Sequence, residues 1–127
     1  MRNFWAVGAC FDGVHDKSEE FINKSEWYDG YAAENDNRYL NLLNEVQVKD
    51  VLILKSKAVK GKKIPFTRLK AIGFIQKKRN YFTFEVKWIT DPDNFPIDFD
   101  GILYMKTIGK MRNDKLLEYV TNYLDGI

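Results

Sequence analysis

A single cysteine, a single histidine and three prolines in 127 residues exclude several kinds of protein at the outset. Cys10 has no second thiol to bridge to, and with His15 as the only imidazole there is no Cys/His set from which to build a zinc site. No metal and no cofactor are therefore expected. Apolar runs stay well short of the roughly 20 residues that a membrane span needs. The opening MRNFWAVGACF is too short and wrongly flanked for a secretory signal, so a cytoplasmic location without a membrane partner is expected. Repeats, low-complexity tracts and Ser/Gly/Pro linkers are missing, and residues 1–127 are read as a single domain able to bury its own core. A Gly-rich phosphate loop is missing too, since Gly61-Lys62-Lys63 lacks the spacing of a P-loop. Cys10 and His15 stand close in sequence, but a buried thiol and a surface imidazole beside Asp16 account for them without catalysis. An enzyme is not expected.

Acidic residues are absent from one long stretch. From Val51 to Phe84 the chain carries Lys55, Lys57, Lys60, Lys62, Lys63, Arg68, Lys70, Lys77, Lys78 and Arg79 with no Asp or Glu, although the net charge is only +2. One reading is a solvated pair of lysine-rich strands that resists edge-to-edge pairing. The other is a phosphate-contacting surface, in which Lys55, Lys57, Lys60, Lys62, Lys63 and Arg68 would track a nucleic-acid backbone.

Periodicity places these residues on elements. Phe4 to Cys10 (FWAVGAC) predicts a buried first strand. Asp16-Lys17-Ser18-Glu19, followed by Phe21 and Ile22, predicts a helix over 16–24. Ser25 to Tyr31 fits neither regular period and reads as a loop. Asn37 is placed to cap a second short helix carrying Tyr39, Leu40, Leu42, Leu43 and Val46, and Val51 to Leu54 is a second strand. Beyond Thr67, the alternation of Leu69, Ala71, Gly73 and Ile75 and then Tyr81 to Trp88 around a turn at Lys77 to Asn80 predicts a β-hairpin. Asp91 to Pro96 reads as a loop, Ile102 to Ile108 as a last strand, and Leu116, Leu117, Val120 and Leu124 as one face of a closing helix at about 113–124. The expected class is α+β, a small mixed β-barrel with helices packed around it.

Aromatic residues are plentiful, at 15% with three Trp. Trp5, Phe82, Phe84 and Trp88 lie in strand-like runs and are expected in the core. Trp27 stands with Tyr28 and Tyr31 in a polar, glycine-containing stretch, where a buried structural role and an accessible stacking platform are both open. Stacking one base on such a ring is worth about 1–3 kcal/mol, and a cage of two or three rings excludes water around a flipped-out base.

The order Phe4-Trp5-Ala6-Val7-Gly8, Phe21 to Trp27, Val46 to Ser56, Lys70 to Ile75 and Val86-Lys87-Trp88 resembles the EVE-like domains of the PUA superfamily over about residues 4–110. Among that group are the N-terminal domains of McrB-type restriction GTPases, with the YTH readers of methylated adenine as more distant relatives. The resemblance implies a PUA-like barrel of EVE/YTH type. Its pocket would open between the end of the first strand, the loop after the first helix, and the second strand with its following loop. Trp27 matches the cage tryptophan of the YTH segment, Ala9, Cys10 and Phe11 match strand-end residues that meet the base, and Ser56 matches a serine near the pocket mouth. YTH proteins carry an Asn at the strand end where this chain has Cys10 or Phe11, so hydrogen bonds to the base edge would come from backbone groups or from Asp12, His15 or Asp16. The insertion bearing their second cage tryptophan is missing here, leaving Phe11, Tyr28, Tyr31 or Phe66 for the other wall.

The function this implies is recognition of a modified, methylated base in double-stranded DNA by base flipping, as the sensor of a modification-dependent restriction system, fused to or acting with a GTPase or nuclease subunit. An RNA-binding module of the same superfamily and a protein-interaction domain with a vestigial pocket are the alternatives, and a small hydrolase using Cys10 and His15 ranks last. The base-pocket reading requires the Trp27 indole to face an open cavity that admits a nucleobase.

Overall fold

The computed structural model describes residues 2–11, 15–60 and 64–127, with the backbone alone considered at 10–11, 57–60 and 64. Along the chain come β1 (Phe4–Gly8), the two-residue β2 (Cys10–Phe11) and β3 (His15–Asp16), α1 (Ser18–Asn23), β4 (Glu26–Tyr28), α2 (Gly30–Ala33), α3 (Leu40–Glu45), β5 (Val51–Lys60), β6 (Ile64–Lys78), β7 (Thr83–Ile89), β8 (Ile97–Asp100), β9 (Ile108–Lys110) and α4 (Lys115–Asp125). A mixed sheet runs in the order β4-β7-β6-β5-β1-β9, with β8 pairing β6 off this path, and it curls into a half-barrel; β2 and β3 form a separate ribbon. The class is α+β, as the alternation of short apolar runs implied. Among the described residues the one parallel pair, β1 with β5, needs a long crossover, and α1, β4, α2 and α3 supply it.

The central strands read as near-continuous apolar runs because both sheet faces are covered. On one face Trp5, Val7, Leu52, Leu54, Ala71 and Ile75 meet Phe21 of α1, Ala32 of α2 and Leu43 of α3. On the other, Ala6, Val51, Ile53, Leu69 and Ile72 meet Leu116 and Val120 of α4, with Phe95 and Tyr104 closing the layer. Asp114 starts α4: one carboxylate oxygen accepts from the Leu117 N–H (3.0 Å) and the other from the Tyr104 hydroxyl (2.5 Å). Burial first, and then that bond, push the Tyr104 hydroxyl up to about 12. Gly73 sits where β6 crosses β7, and a Cβ there would lie 2.6 Å from the Trp88 ring and closer still to Val86 Cγ1. Only glycine fits between those two side chains.

Several local expectations change. The stretch 25–31 is not a loop, because Glu26, Trp27 and Tyr28 pair with Glu85, Phe84 and Thr83 before the chain turns into α2. Strand pairing to a partner almost sixty residues away leaves no local signal. The first strand stops at Gly8 instead of Cys10. The expected strand at 102–108 is reduced to Ile108–Lys110, since the carbonyls before it are taken by side chains: Thr67 Oγ1 donates to Ile102, and Lys55 Nζ to Tyr104 and Lys106. Asn37 does not cap α3; its amide oxygen accepts from the Tyr81 hydroxyl (2.6 Å). Among the described residues, no helix is long and apolar enough to cross a membrane.

Candidate nucleic-acid interface

Three separated segments meet at the C-terminal end of β1. Gly8 pairs with Lys55, the Ala9 N–H donates to the Lys55 carbonyl (3.0 Å), and the Ala9 carbonyl accepts from the Lys17 N–H (2.7 Å). The Trp27 indole Nε1–H donates to the Gly8 carbonyl (3.0 Å), which brings β4 to the same place, and Ser56, half-buried, follows Lys55. Ala9, Trp27 and Ser56 therefore converge, although they lie up to 47 positions apart.

Trp27 is nevertheless not an open wall. Its side chain is fully buried, with its ring 5.8 Å from Phe84 and 6.4 Å from Phe21 between centroids, inside the cluster that contains Trp5 and Leu54. The stacking-platform expectation is corrected on this point: pairing on β7 turns alternate β4 side chains inward, and the indole fills the interior while its N–H ties down β1. Tyr28 is half-buried and meets Phe21 edge-on at 5.2 Å. Tyr31, 40% exposed, belongs to another cluster, with the Arg38 guanidinium 3.8 Å from its ring centroid and Tyr39 at 6.1 Å. Phe66 is buried, on β6 opposite Ala58, with Arg68 5.4 Å from its ring. Tyr31 and Phe66 thus do not close a cage around Trp27. Asp12 lies outside the described residues, as do the side chains of Cys10 and Phe11.

The cationic segment is a two-stranded arm. β5 runs five residues past its last partner on β1, from Ser56 to Lys60, paired there with β6 alone, and β8 flanks β6 from Phe66 to Leu69. Two of the expected phosphate contacts have other partners. Lys55 is buried, because the register shift at Leu54/Lys55 re-aims it inward, and its ammonium donates to the carbonyls of Tyr104 (2.7 Å) and Lys106 (2.9 Å). This corrects its assignment to a phosphate-facing surface. Arg68 makes a two-pronged pair with Asp98 (2.8 and 3.2 Å), a bond that holds its guanidinium pKa up. Lys70 pairs with Asp16 across to the β2–β3 ribbon, and Lys78 donates to the carbonyls of Leu43 and Val46, closing the end of α3. Lys57 and Lys60 lie on the outer part of β5, and Lys62 and Lys63 fall outside the described residues.

Sequence reading missed Asp29. It caps α2 with one carboxylate oxygen accepting from the Tyr31 N–H (2.9 Å), while its Oδ2 is buried without a hydrogen-bond partner. Burial pushes this carboxyl above the ordinary carboxylate range, and the backbone amides of Tyr31 and Ala32 only partly counter it. A carboxyl with a raised folded pKa contributes stability that is complete below its unfolded value, about 3.9, and is lost as pH rises through the folded value. Asparagine keeps the capping oxygen without the charge. Between pH 4 and pH 8, urea unfolding is therefore expected to shift in favour of Asp29→Asn relative to wild type as pH increases. A difference that stays constant across that range would exclude the raised carboxyl. The only sequence signal was an Asx residue followed by glycine and an aromatic run, which marks a turn and not a buried charge.

A separate cavity of about 420 Å³ lies between β1, β6 and the end of α4, lined by Phe4, Phe74 and Leu124 with Arg2 stacked on Phe74 at 5.5 Å. None of the expected site residues lines it. Compared with protein-family models and with curated proteins, the chain matches none.

Proposed function

We propose that this domain, of PUA-like EVE/YTH type, binds double-stranded DNA through its cationic arm and, with the Trp27 ring closed off in the core and no open aromatic wall there among the described residues, meets one modified base at the end of β1 instead of stacking it on that indole, serving as the sensor of a modification-dependent restriction system. The observation that carries the reading is the arm formed by β5 and β6, flanked by β8: it runs past the end of β1 immediately beside the place where Ala9, Ser56 and Trp27 meet, its strand β5 bears Lys57 and Lys60, and the sequence has no acidic residue between Val51 and Phe84. Cations neutralise phosphates along the backbone, and selectivity arises where the base contacts the strand end. Trp27 acts beneath that site as a brace, holding the Gly8 carbonyl and with it the geometry of Ala9. A GTPase or nuclease subunit, fused or separate, would act on what this domain finds.

Salt titration tests the reading directly. Duplexes carrying 5-methylcytosine, 5-hydroxymethylcytosine, N6-methyladenine or plain bases should bind with affinities that fall steeply with salt, and one modified duplex should be preferred at both ionic strengths. Replacing Lys57, Lys60, Lys62 and Lys63 together by Ala should weaken binding to all duplexes alike and reduce the slope of log K against log salt by about 0.9 for each phosphate that is no longer neutralised. Unchanged binding in that variant, or no preference among duplexes, would transfer the domain to the protein-interaction class. Preference for single strands that depends on the 2′-hydroxyl would identify an RNA-binding module instead.

A further inference from the structure

Three strands of the arm line up side chains beside the end of β1. Ser56 on β5 is the Cα partner of Arg68 on β6, and Arg68 in turn is the partner of Asp98 on β8. Paired residues of an antiparallel ladder point to the same face with Cβ atoms about 4.5–5.5 Å apart, so the three form one row. The row starts at the candidate site. Ser56 follows Lys55, whose carbonyl accepts from the Ala9 N–H, and it continues the alternation of Leu52 and Leu54 on the face that carries Trp27. Arg68 therefore stands one strand away from the place where the base is met under the proposed function. Its guanidinium is held from two sides: Nε and Nη2 donate to the two carboxylate oxygens of Asp98 (2.8 and 3.2 Å), and Cζ lies 5.4 Å from the centroid of the buried Phe66 ring. The remaining edge, Nη1 with the outer N–H of Nη2, has no hydrogen-bond partner among the described residues, and the side chain is 43% exposed. A solvated cation on a flexible stem suffices for a phosphate, whereas a fork fixed by a carboxylate and a ring suits a pair of acceptors in a defined plane. Charge points the same way, because Asp98 neutralises Arg68 and a neutralised pair displaces few counterions from a phosphate backbone. Guanine presents two neutral acceptors side by side on its major-groove edge, O6 and N7, and requires only well-placed donors.

We propose that Arg68 reads a guanine next to the modified base, its exposed edge donating to O6 and N7 while Asp98 holds the other edge in place. The inference rests on the duplex binding proposed above and adds a sequence context to it, together with the residue that reads that context. Asp98 is a positioning residue: it touches no base and fixes the plane of the fork.

The test uses the modified duplex preferred in the panel above, with guanines on both sides of the modified base, and replaces them one at a time by 7-deazaguanine, which lacks N7. Wild-type protein should lose about tenfold in affinity at one of these positions, within the range for a bidentate arginine contact. Arg68→Gln should bind the normal and 7-deaza duplexes within about twofold of each other and keep the wild-type salt slope, since no phosphate contact is removed. Arg68→Lys keeps the charge without the fork and should lose the discrimination as well. Asp98→Asn should move the two readouts in opposite senses: with its counter-charge gone, Arg68 steepens the slope of log K against log salt by up to about 0.9, while the dependence on N7 weakens. Indifference of wild type to every 7-deaza substitution would overturn the inference. So would an Arg68→Gln variant that retains the N7 dependence and whose slope falls by about 0.9, the behaviour of a phosphate contact. Either result leaves the steep salt dependence and the preference for modified duplex in wild type intact; absence of those two would instead remove the function on which the inference rests.

Discussion

Trp27→Ala is expected to lower the unfolding free energy by about 3–5 kcal/mol, the range for truncating a large aromatic in a packed core. Three contributions add: the ring contacts to Phe21 and Phe84, the cavity left in the cluster around Trp5 and Leu54, and the Gly8 carbonyl that loses its indole donor. For a domain whose total stability is on the order of 5–15 kcal/mol, this is a large share, and in urea denaturation the midpoint should drop accordingly. Trp27→Phe keeps most of the ring contact and should cost clearly less. A surface platform would behave otherwise, since substitutions away from packed features usually stay within about 0.5 kcal/mol. A loss that small in Trp27→Ala would show that the indole lies on an accessible surface, free to stack on a base. The distinction bears on function as well: an effect on base selectivity in Trp27→Ala is interpretable only at temperatures where the variant is folded.

Asp50→Ala should be comparably damaging, at about 3 kcal/mol or more, because one buried carboxylate satisfies three donors at once. Its Oδ2 accepts from the Trp5 indole N–H (3.0 Å) and the Gln47 N–H (2.9 Å), and its Oδ1 from the Asn3 N–H (3.0 Å). Alanine leaves an indole and two amides without their acceptor at the point where β1 and β5 begin to pair. Asp50→Asn retains one acceptor oxygen but turns its amide NH2, itself a donor, toward the remaining donors, so it should recover only part of the loss. Equal stability of Asp50→Ala and wild type by calorimetry would mean that water replaces the carboxylate at all three donors, the buried Trp5 indole included. The preceding Lys49 adopts φ 78, a conformation in which a glycine is easier to accommodate. The network around Asp50 is what holds the lysine in that conformation.

Periodicity alone placed the hairpin of β6 and β7, the closing helix and the buried first strand, because those elements announce themselves within ten or so residues. The strand β4 could not be read in the same way. Its three residues acquire their conformation from Thr83, Phe84 and Glu85, and nothing in Glu26-Trp27-Tyr28 itself distinguishes an edge strand from an aromatic loop. The candidate site follows the same division. Composition located the cationic arm, but not the register shift that turns Lys55 into the interior or the Asp98 that occupies Arg68.

From its residues alone, this chain determines an α+β domain, a cation-rich middle third and an aromatic supply far larger than a minimal core needs, since composition and periodicity are local properties. Tertiary structure alone decided that the Trp27 ring turns inward and that Asp29 is buried with an unsatisfied oxygen. The direction a side chain faces depends on which strand its backbone pairs with, and the state of a carboxyl depends on what surrounds it. Both are set by residues distant in the chain.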